Sequence, residues 1–189
     1  MLQPCANAVY GVILNFRAEL EKLSKPPIAP VLHLRPRNTW NVSGAAIVLP
    51  PGAKQLKMAG TVGVAIGAGY VAVNDVSIPH PSYFRPAIRE RCRDGFCVIG
   101  SEVTDRKPEE IRILINGELR CRANIADLVR PIDRLIAEIG EFLTLEPGDI
   151  LLIGEPPDAP LAGAGDRVRV EIDGLPAIEN DIAPEVTAQ

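Results

Sequence analysis

Aromatic side chains are scarce in this 189-residue chain: one Trp, three Tyr and four Phe make up 4% of it. Its core must therefore be assembled from Val, Ile, Leu and Ala. Histidine is scarcer still, with only His33 and His80, and none of Cys5, Cys92, Cys97 and Cys121 stands in a Cys-x-x-Cys pair. That argues against a structural zinc site and points to free thiols in a reducing cytoplasm. There is no basic surplus either: 20 Lys and Arg against 24 Asp and Glu leave a net charge of −4. Nonspecific binding to nucleic acid or to an anionic membrane needs the opposite balance. No apolar run reaches the ~18 residues of a membrane span. The first residues do not lead from a basic region into a long apolar one, so no secretory leader is expected. Gly67-Ala68-Gly69 lacks the third glycine of a dinucleotide fingerprint, and no phosphate loop or Gly-x-Ser-x-Gly elbow occurs.

Glycine and proline, by contrast, are plentiful at 16 and 18. That much turn chemistry favours many short strands over a helix bundle. The length fits one domain spanning residues 1–189, with enough apolar content to bury a core.

Strands are expected at 8–15, 31–35, 45–49, 61–66 and 70–74. The stretch 61–66 is rich in small and β-branched residues, as a strand buried on both faces should be. Helical character at 17–23 stops at Pro26-Pro27. Asn116-Gly117 separates strands at 111–115 and 118–122, the strongest short hairpin signal. The best helix runs over 131–143, with Ile132, Leu135, Ile136 and Ile139 at helical spacing and Pro131 near the first turn. Strands at 150–153, 168–172 and 175–178 follow, and the tail from Pro184 should fray. The fold class read from this order is α+β and β-rich.

Residues that can carry chemistry concentrate between Asn74 and Phe96. Asn74-Asp75-Val76-Ser77 ends an apolar run, and Tyr83-Phe84-Arg85-Pro86 and Arg91-Cys92-Arg93-Asp94-Gly95-Phe96 follow. A carboxylate, hydroxyls and arginines at a strand end suit an anionic small molecule, because guanidinium pairs bidentately with carboxylate. Any one of these arginines, Arg89 above all, can equally be a surface or subunit contact. A hard divalent cation needs several oxygen ligands, of which Asp75 is one; the alternative is a polar residue capping a strand end. His80 lies between two prolines and reads as an exposed loop histidine. Cys92 and Cys97 read as buried thiols rather than a redox pair.

Several segments together resemble the fumarylacetoacetate hydrolase family. They are Gly11 to Phe16, Arg35 to Thr39, Gly69-Tyr70 running into Asn74 to Ser77, Asn116-Gly117-Glu118, Leu145 to Asp149 with Ile153-Gly154, Gly165 to Val170, and Gly174-Leu175 through Glu179-Asn180. Tyr83 to Ile88 with Cys92 to Cys97 resembles one branch in particular, the isomerase/decarboxylases of bacterial aromatic catabolism. The resemblance implies a mixed β-roll, largely antiparallel, with short outer helices. It implies pairing of two such domains, as a homodimer or as a heteromer with a second family subunit, and an anionic di- or tricarboxylate ligand. Its cofactor would be Mg²⁺ or Mn²⁺, held by a Glu-x-Glu pair and one Asp, with the reaction passing through an enolate. Asp75 matches the metal-binding aspartate.

The chain departs from that pattern at several places. Ala59 and Thr61 stand where the two glutamates belong. Glu19 stands where a catalytic histidine is common, and Glu155 where a threonine meets substrate oxygen. Arg35 and Arg91 fall at basic positions, and a short helix usually found after the Gly67 position is missing. The resemblance thus implies catalytic roles for Glu19, Arg35 and Arg91, substrate contacts from Ser77, Arg85 and Arg93, and Asp75 as the metal ligand. It leaves open whether this chain catalyses or partners a metal-bearing sister subunit.

Overall fold

The computed structural model describes residues 6–80 and 87–185. Two sheets carry the fold. In the larger one the strands lie in the order β2 (Val31–Leu34), β1 (Val9–Ile13), β10 (Ile150–Leu152), β5 (Leu56–Ala65), β6 (Gly69–Ser77), β7 (Cys97–Ile99) and β3 (Trp40–Val42), with β11 (Leu161–Ala162) also on β5. The smaller sheet runs β4 (Ile47–Val48), β13 (Ile178–Ala183), β12 (Arg167–Ile172), β8 (Glu110–Ile115) and β9 (Glu118–Asn124). Pairing is mostly antiparallel; β1–β10, β3–β7 and β4–β13 are the parallel contacts. The helices α1 (Arg17–Leu20), α2 (Ile88–Arg91) and α3 (Ile132–Gly140) are short. This is the β-rich roll that the sequence led us to expect.

The sheets meet through alternate residues of their strands. Met58 and Val62 of β5 and Ala72 and Val76 of β6 join Ile111, Ile113, Val168, Val170 and Ile178 in the main buried cluster. Burying each such side chain stabilises by about 1.5–3 kcal/mol. Gly60 lets the layers approach: a Cβ there would lie 2.7 Å from Val170 Cγ1 and 3.0 Å from Ile113 Cγ1. The opposite face of the large sheet holds a second cluster, Val9, Val71, Val73, Cys97, Ile99, Ile150 and Leu152.

Local signals set most elements. Asn116 and Gly117 take φ of 52° and 82°, the left-handed pair that a tight hairpin needs, and β8 and β9 flank them as expected. Helix α3 begins after Pro131 and buries Ile132, Leu135 and Ile139. It stops at Gly140, so Phe142 lies outside it and is exposed. Helix α1 is shorter than the sequence suggests: after Leu20 the bonds Lys22 N–H to Glu19 and Leu23 N–H to Leu20 tighten to i→i−3. The last strand starts at Ile178, not Leu175, because Leu175 N–H closes a turn on Ile172.

The largest differences lie in β5 and β6. β5 begins five residues before the expected 61, and β6 runs on through Ser77. Asp75 therefore lies within a buried strand and not at its end, and Ser77 is the strand's last residue. The two strands join through Gly67-Ala68, with Ala68 N–H donating to Ala65 O at 2.9 Å. No helix intervenes there.

Candidate functional site

Strand pairing decides what surrounds Asp75. Ala59 is its direct partner across β5 and β6, Thr61 faces Val73, and Lys57 faces Ser77. Partners in an antiparallel pair share a face, so Lys57, Ala59, Thr61, Asp75 and Ser77 point the same way.

The sheet then curls over this face. β2 lies four strand steps from β6 in the sheet order, about 19 Å in a flat sheet at ~4.8 Å per step. Yet His33 Nε2 of β2 lies 3.1 Å from Asp75 Oδ2. Gly11 permits the approach, since a Cβ there would sit 2.1 Å from His33 Cε1. Arg35 follows two residues later and is fully buried. Its guanidinium pairs with Asp75 and donates to the Arg91 carbonyl and, at 2.7 Å, to the Val76 carbonyl.

Arg91, at the end of α2, spans two carboxylates. It lies 3.4 Å from Asp75 Oδ2 and forms an ion pair with Glu155. Glu155 is 2% exposed and accepts from Lys57 Nζ at 2.6 Å. The result is a continuous buried network: His33 and Arg35 on Asp75, Arg91 between Asp75 and Glu155, and Lys57 on Glu155.

Glu19 reaches the edge of this network from α1. Leu14 adopts φ of 58°, a left-handed conformation costly for a non-glycine residue, and turns the chain out of β1. Asn15 holds the turn: its side chain donates to Ile153 O at 2.7 Å and Arg130 O at 3.1 Å, and accepts from Arg130 N–H at 3.0 Å. Glu19 Oε2 is buried without a hydrogen-bond partner among the described residues.

The electrostatics follow from burial and neighbours. Burial would raise the Asp75 carboxyl, but Arg35, His33 and Arg91 outweigh it and hold the group well below the usual carboxylate range. Burial also opposes ionised Glu155, and Arg91 and Lys57 win, keeping it low. Burial lowers His33 despite Asp75, so its imidazole is biased to the neutral form. Glu19 differs from the other carboxylates. Burial, then the Glu155 charge, push its carboxyl up to about 7. Cys97, on β7, is pushed up to about 12 by burial, a poor nucleophile rather than half of a redox pair.

The expected site residues are thus only partly gathered. Glu19, Arg35, Asp75 and Arg91 converge. Ser77 lies on the same face, buried, with a hydroxyl that has no hydrogen-bond partner among the described residues. Arg93 donates instead to the Arg89 carbonyl at 2.9 Å. Arg85 lies outside the described residues. His80 is half-buried, not exposed. Sequence reasoning missed His33 and Lys57. The only available signal for them was that each lies at an alternate position of a strand, and the pairings that bring them in are distant in the chain.

A divalent cation does not fit these residues. Ala59 offers no ligand atom, and the Thr61 hydroxyl donates to Gly154 O at 2.6 Å. Both Asp75 oxygens face cationic or imidazole nitrogens. Among the described residues no group of three His, Cys, Asp or Glu is placed to hold a metal. No helix among them is long and apolar enough to cross a membrane.

The family model of the fumarylacetoacetate (FAA) hydrolase C-terminal domain matches residues 68–183. The chain belongs to this family. It is 38% identical over 203 residues to the 4-hydroxyphenylacetate degradation bifunctional isomerase/decarboxylase of Salmonella dublin, covering 94% of this chain and 47% of that protein. The chain therefore spans about half the length of that relative. Its fold superposes on 5-carboxymethyl-2-hydroxymuconate delta-isomerase from Mycobacterium smegmatis with a TM-score of 0.83 at 25% identity, over 96% of this chain and 78% of the other. The fold is also that of maleylpyruvate hydrolase from Sphingobium sp. SYK-6, solved with manganese(II) and pyruvate, at a TM-score of 0.79 and 23% identity, over 97% and 72% of the two chains.

Proposed function

We propose that this chain is one half of an isomerase/decarboxylase of 4-hydroxyphenylacetate degradation, and that its own site holds no divalent metal. A second family domain, which would carry the metal, would complete the enzyme. The substrate class is an anionic 2-oxo or enol di- or tricarboxylate. Isomerisation and decarboxylation both pass through an enolate, which cationic groups stabilise.

One observation carries the reading: Ala59 faces Asp75 across the strand pair, while Arg35, Arg91 and His33 take the aspartate's oxygens. The register of a three-carboxylate site is kept and two of its carboxylates are gone. The likeness to a relative about twice as long supports a partner domain.

Calorimetric titration of the purified chain with Mg²⁺ and Mn²⁺ tests this. No stoichiometric micromolar binding is expected, and decarboxylation should require a metal-bearing family partner. Micromolar binding abolished by Asp75→Ala would show that the chain holds its own metal.

A further inference from the structure

The buried cations of this protein are arginines, with one departure. Arg35, Arg91 and Arg130 are buried. Of the five lysines, Lys22, Lys25, Lys54 and Lys107 are exposed, and Lys57 alone is drawn half inside. The difference is chemical. A guanidinium stays protonated, whereas an amine can give up a proton and add to a carbonyl.

We propose that Lys57 is a covalent capture site, whose amine condenses reversibly with the carbonyl of a 2-oxo acid to form an imine. This rests on the reading above that the site takes such acids.

The placement of Lys57 supports this in three ways. The first is access. Its side chain is 27% exposed, whereas those of Arg35, Asp75, Arg91 and Glu155 are 6% exposed or less. Lys57 is therefore the cation of the network that a dissolved carbonyl compound can reach. The second is its anchor. Glu155 Oε2 accepts from Lys57 Nζ at 2.6 Å, while the other Glu155 oxygen pairs with Arg91. Nζ is thus held at one point, beside a carboxylate that favours positive charge on that nitrogen. An ammonium and a protonated imine both put one positive charge there, so capture leaves the charge balance of the buried network unchanged. The third is the residue opposite. Ser77 faces Lys57 across the ladder, on the same side of the sheet. Its hydroxyl has no hydrogen-bond partner among the described residues, so it can donate to an oxygen of the captured acid.

The condensation balances without any further reactant. Lys57 gives one ammonium proton to solvent. The freed lone pair forms an N–C bond with the carbonyl carbon, and the carbonyl π pair moves to oxygen. A proton passes from nitrogen to that oxygen. Once the proton lent to solvent returns to it, the oxygen leaves as water, and the nitrogen lone pair closes the C=N bond. An ammonium and a ketone have become an iminium and water, and hydrolysis reverses every step.

Trapping tests the proposal. The purified chain is incubated with pyruvate and sodium cyanoborohydride, whose hydride reduces an iminium to a stable secondary amine. Intact mass and peptide mapping then count and locate the adducts. One adduct per chain is expected, on Lys57. Lactate, which has the carboxylate but no carbonyl, should leave none. Lys57→Arg, checked for an unaltered melting temperature, keeps the charge opposite Glu155 and should lose the adduct. No adduct, label spread evenly over the exposed lysines, or wild-type labelling of a folded Lys57→Arg protein would overturn the proposal. The peptide map of the wild-type chain decides the matter even if the variant does not fold. Stoichiometric Mn²⁺ binding with trapping at Lys57 intact would refute only the metal-free half-enzyme. A chain that binds no metal and is not trapped would refute only the capture site.

Discussion

Replacing Asp75 by alanine separates a metal ligand from a structural anion. A solvated ligand can be removed at little cost to the folded protein. Asp75 is 1% exposed and paired with Arg35, whose side chain is fully buried, and with Arg91 at 3.4 Å. Removing it leaves a guanidinium inside the protein without its counter-charge, which costs about 3–5 kcal/mol. For a chain of this size each kcal/mol lowers the melting temperature by about 2–4 °C, so a loss of about 6–20 °C is expected. The pH dependence has a definite sign. The folded-state carboxyl lies below its ordinary value of 3.8, so its stabilisation is full above that value and fades as pH falls toward the lower folded value. The gap between wild type and Asp75→Ala should therefore be widest near neutrality and shrink below pH 4. Arg35→Met combined with Asp75→Leu should recover much of the loss, since well-packed apolar pairs substitute for buried ion pairs. Calorimetric melts from pH 3 to pH 7 measure all of this. A drop under 1 kcal/mol at pH 7, or a gap that widens in acid, would refute the buried-anion account.

Two further effects follow from the same site. Gly11→Ala places a Cβ 2.1 Å from His33 Cε1; overpacking and the lost bond to Asp75 together cost about 3–5 kcal/mol, and urea denaturation within 1 kcal/mol of wild type would contradict it. Glu19 titrates at about 7 when folded against 4.5 when free, so the folded state binds more protons between those values and stability falls as pH rises through them. Glu19→Gln should remove that slope and gain up to about 3 kcal/mol at pH 8; an equal difference at pH 5 and pH 8 would exclude it.

Some of this molecule can be read directly from its residues, and the division is physical. The Asn116-Gly117 hairpin and the buried stripe of α3 depend on neighbours within a few positions, so the sequence reveals them. β5 and β6 outrun their apolar cores because pairing, not hydropathy, carries Lys57 and Ser77 into the ladder. Asp75 looked like a terminus because polar residues commonly end strands. Here Arg35 arrives from 40 positions away and makes the interior tolerable for it. His33 and Lys57 carried no local mark beyond their place in a strand, because their roles exist only once the sheet has curled. Ala59 and Thr61, in contrast, stood out once the family resemblance was laid on the chain, and the strand register pairs Ala59 with Asp75 and puts Thr61 on the same face.

The closed network also resists change one residue at a time. Glutamates introduced at 59 and 61 would meet an aspartate whose oxygens are already claimed by Arg35, Arg91 and His33. Removing either arginine first would strand a buried carboxylate before any cation had a complete set of ligands to enter. Each single change is penalised until several are made together. The ion network therefore works as a lock: its members can be exchanged as a set far more cheaply than one at a time.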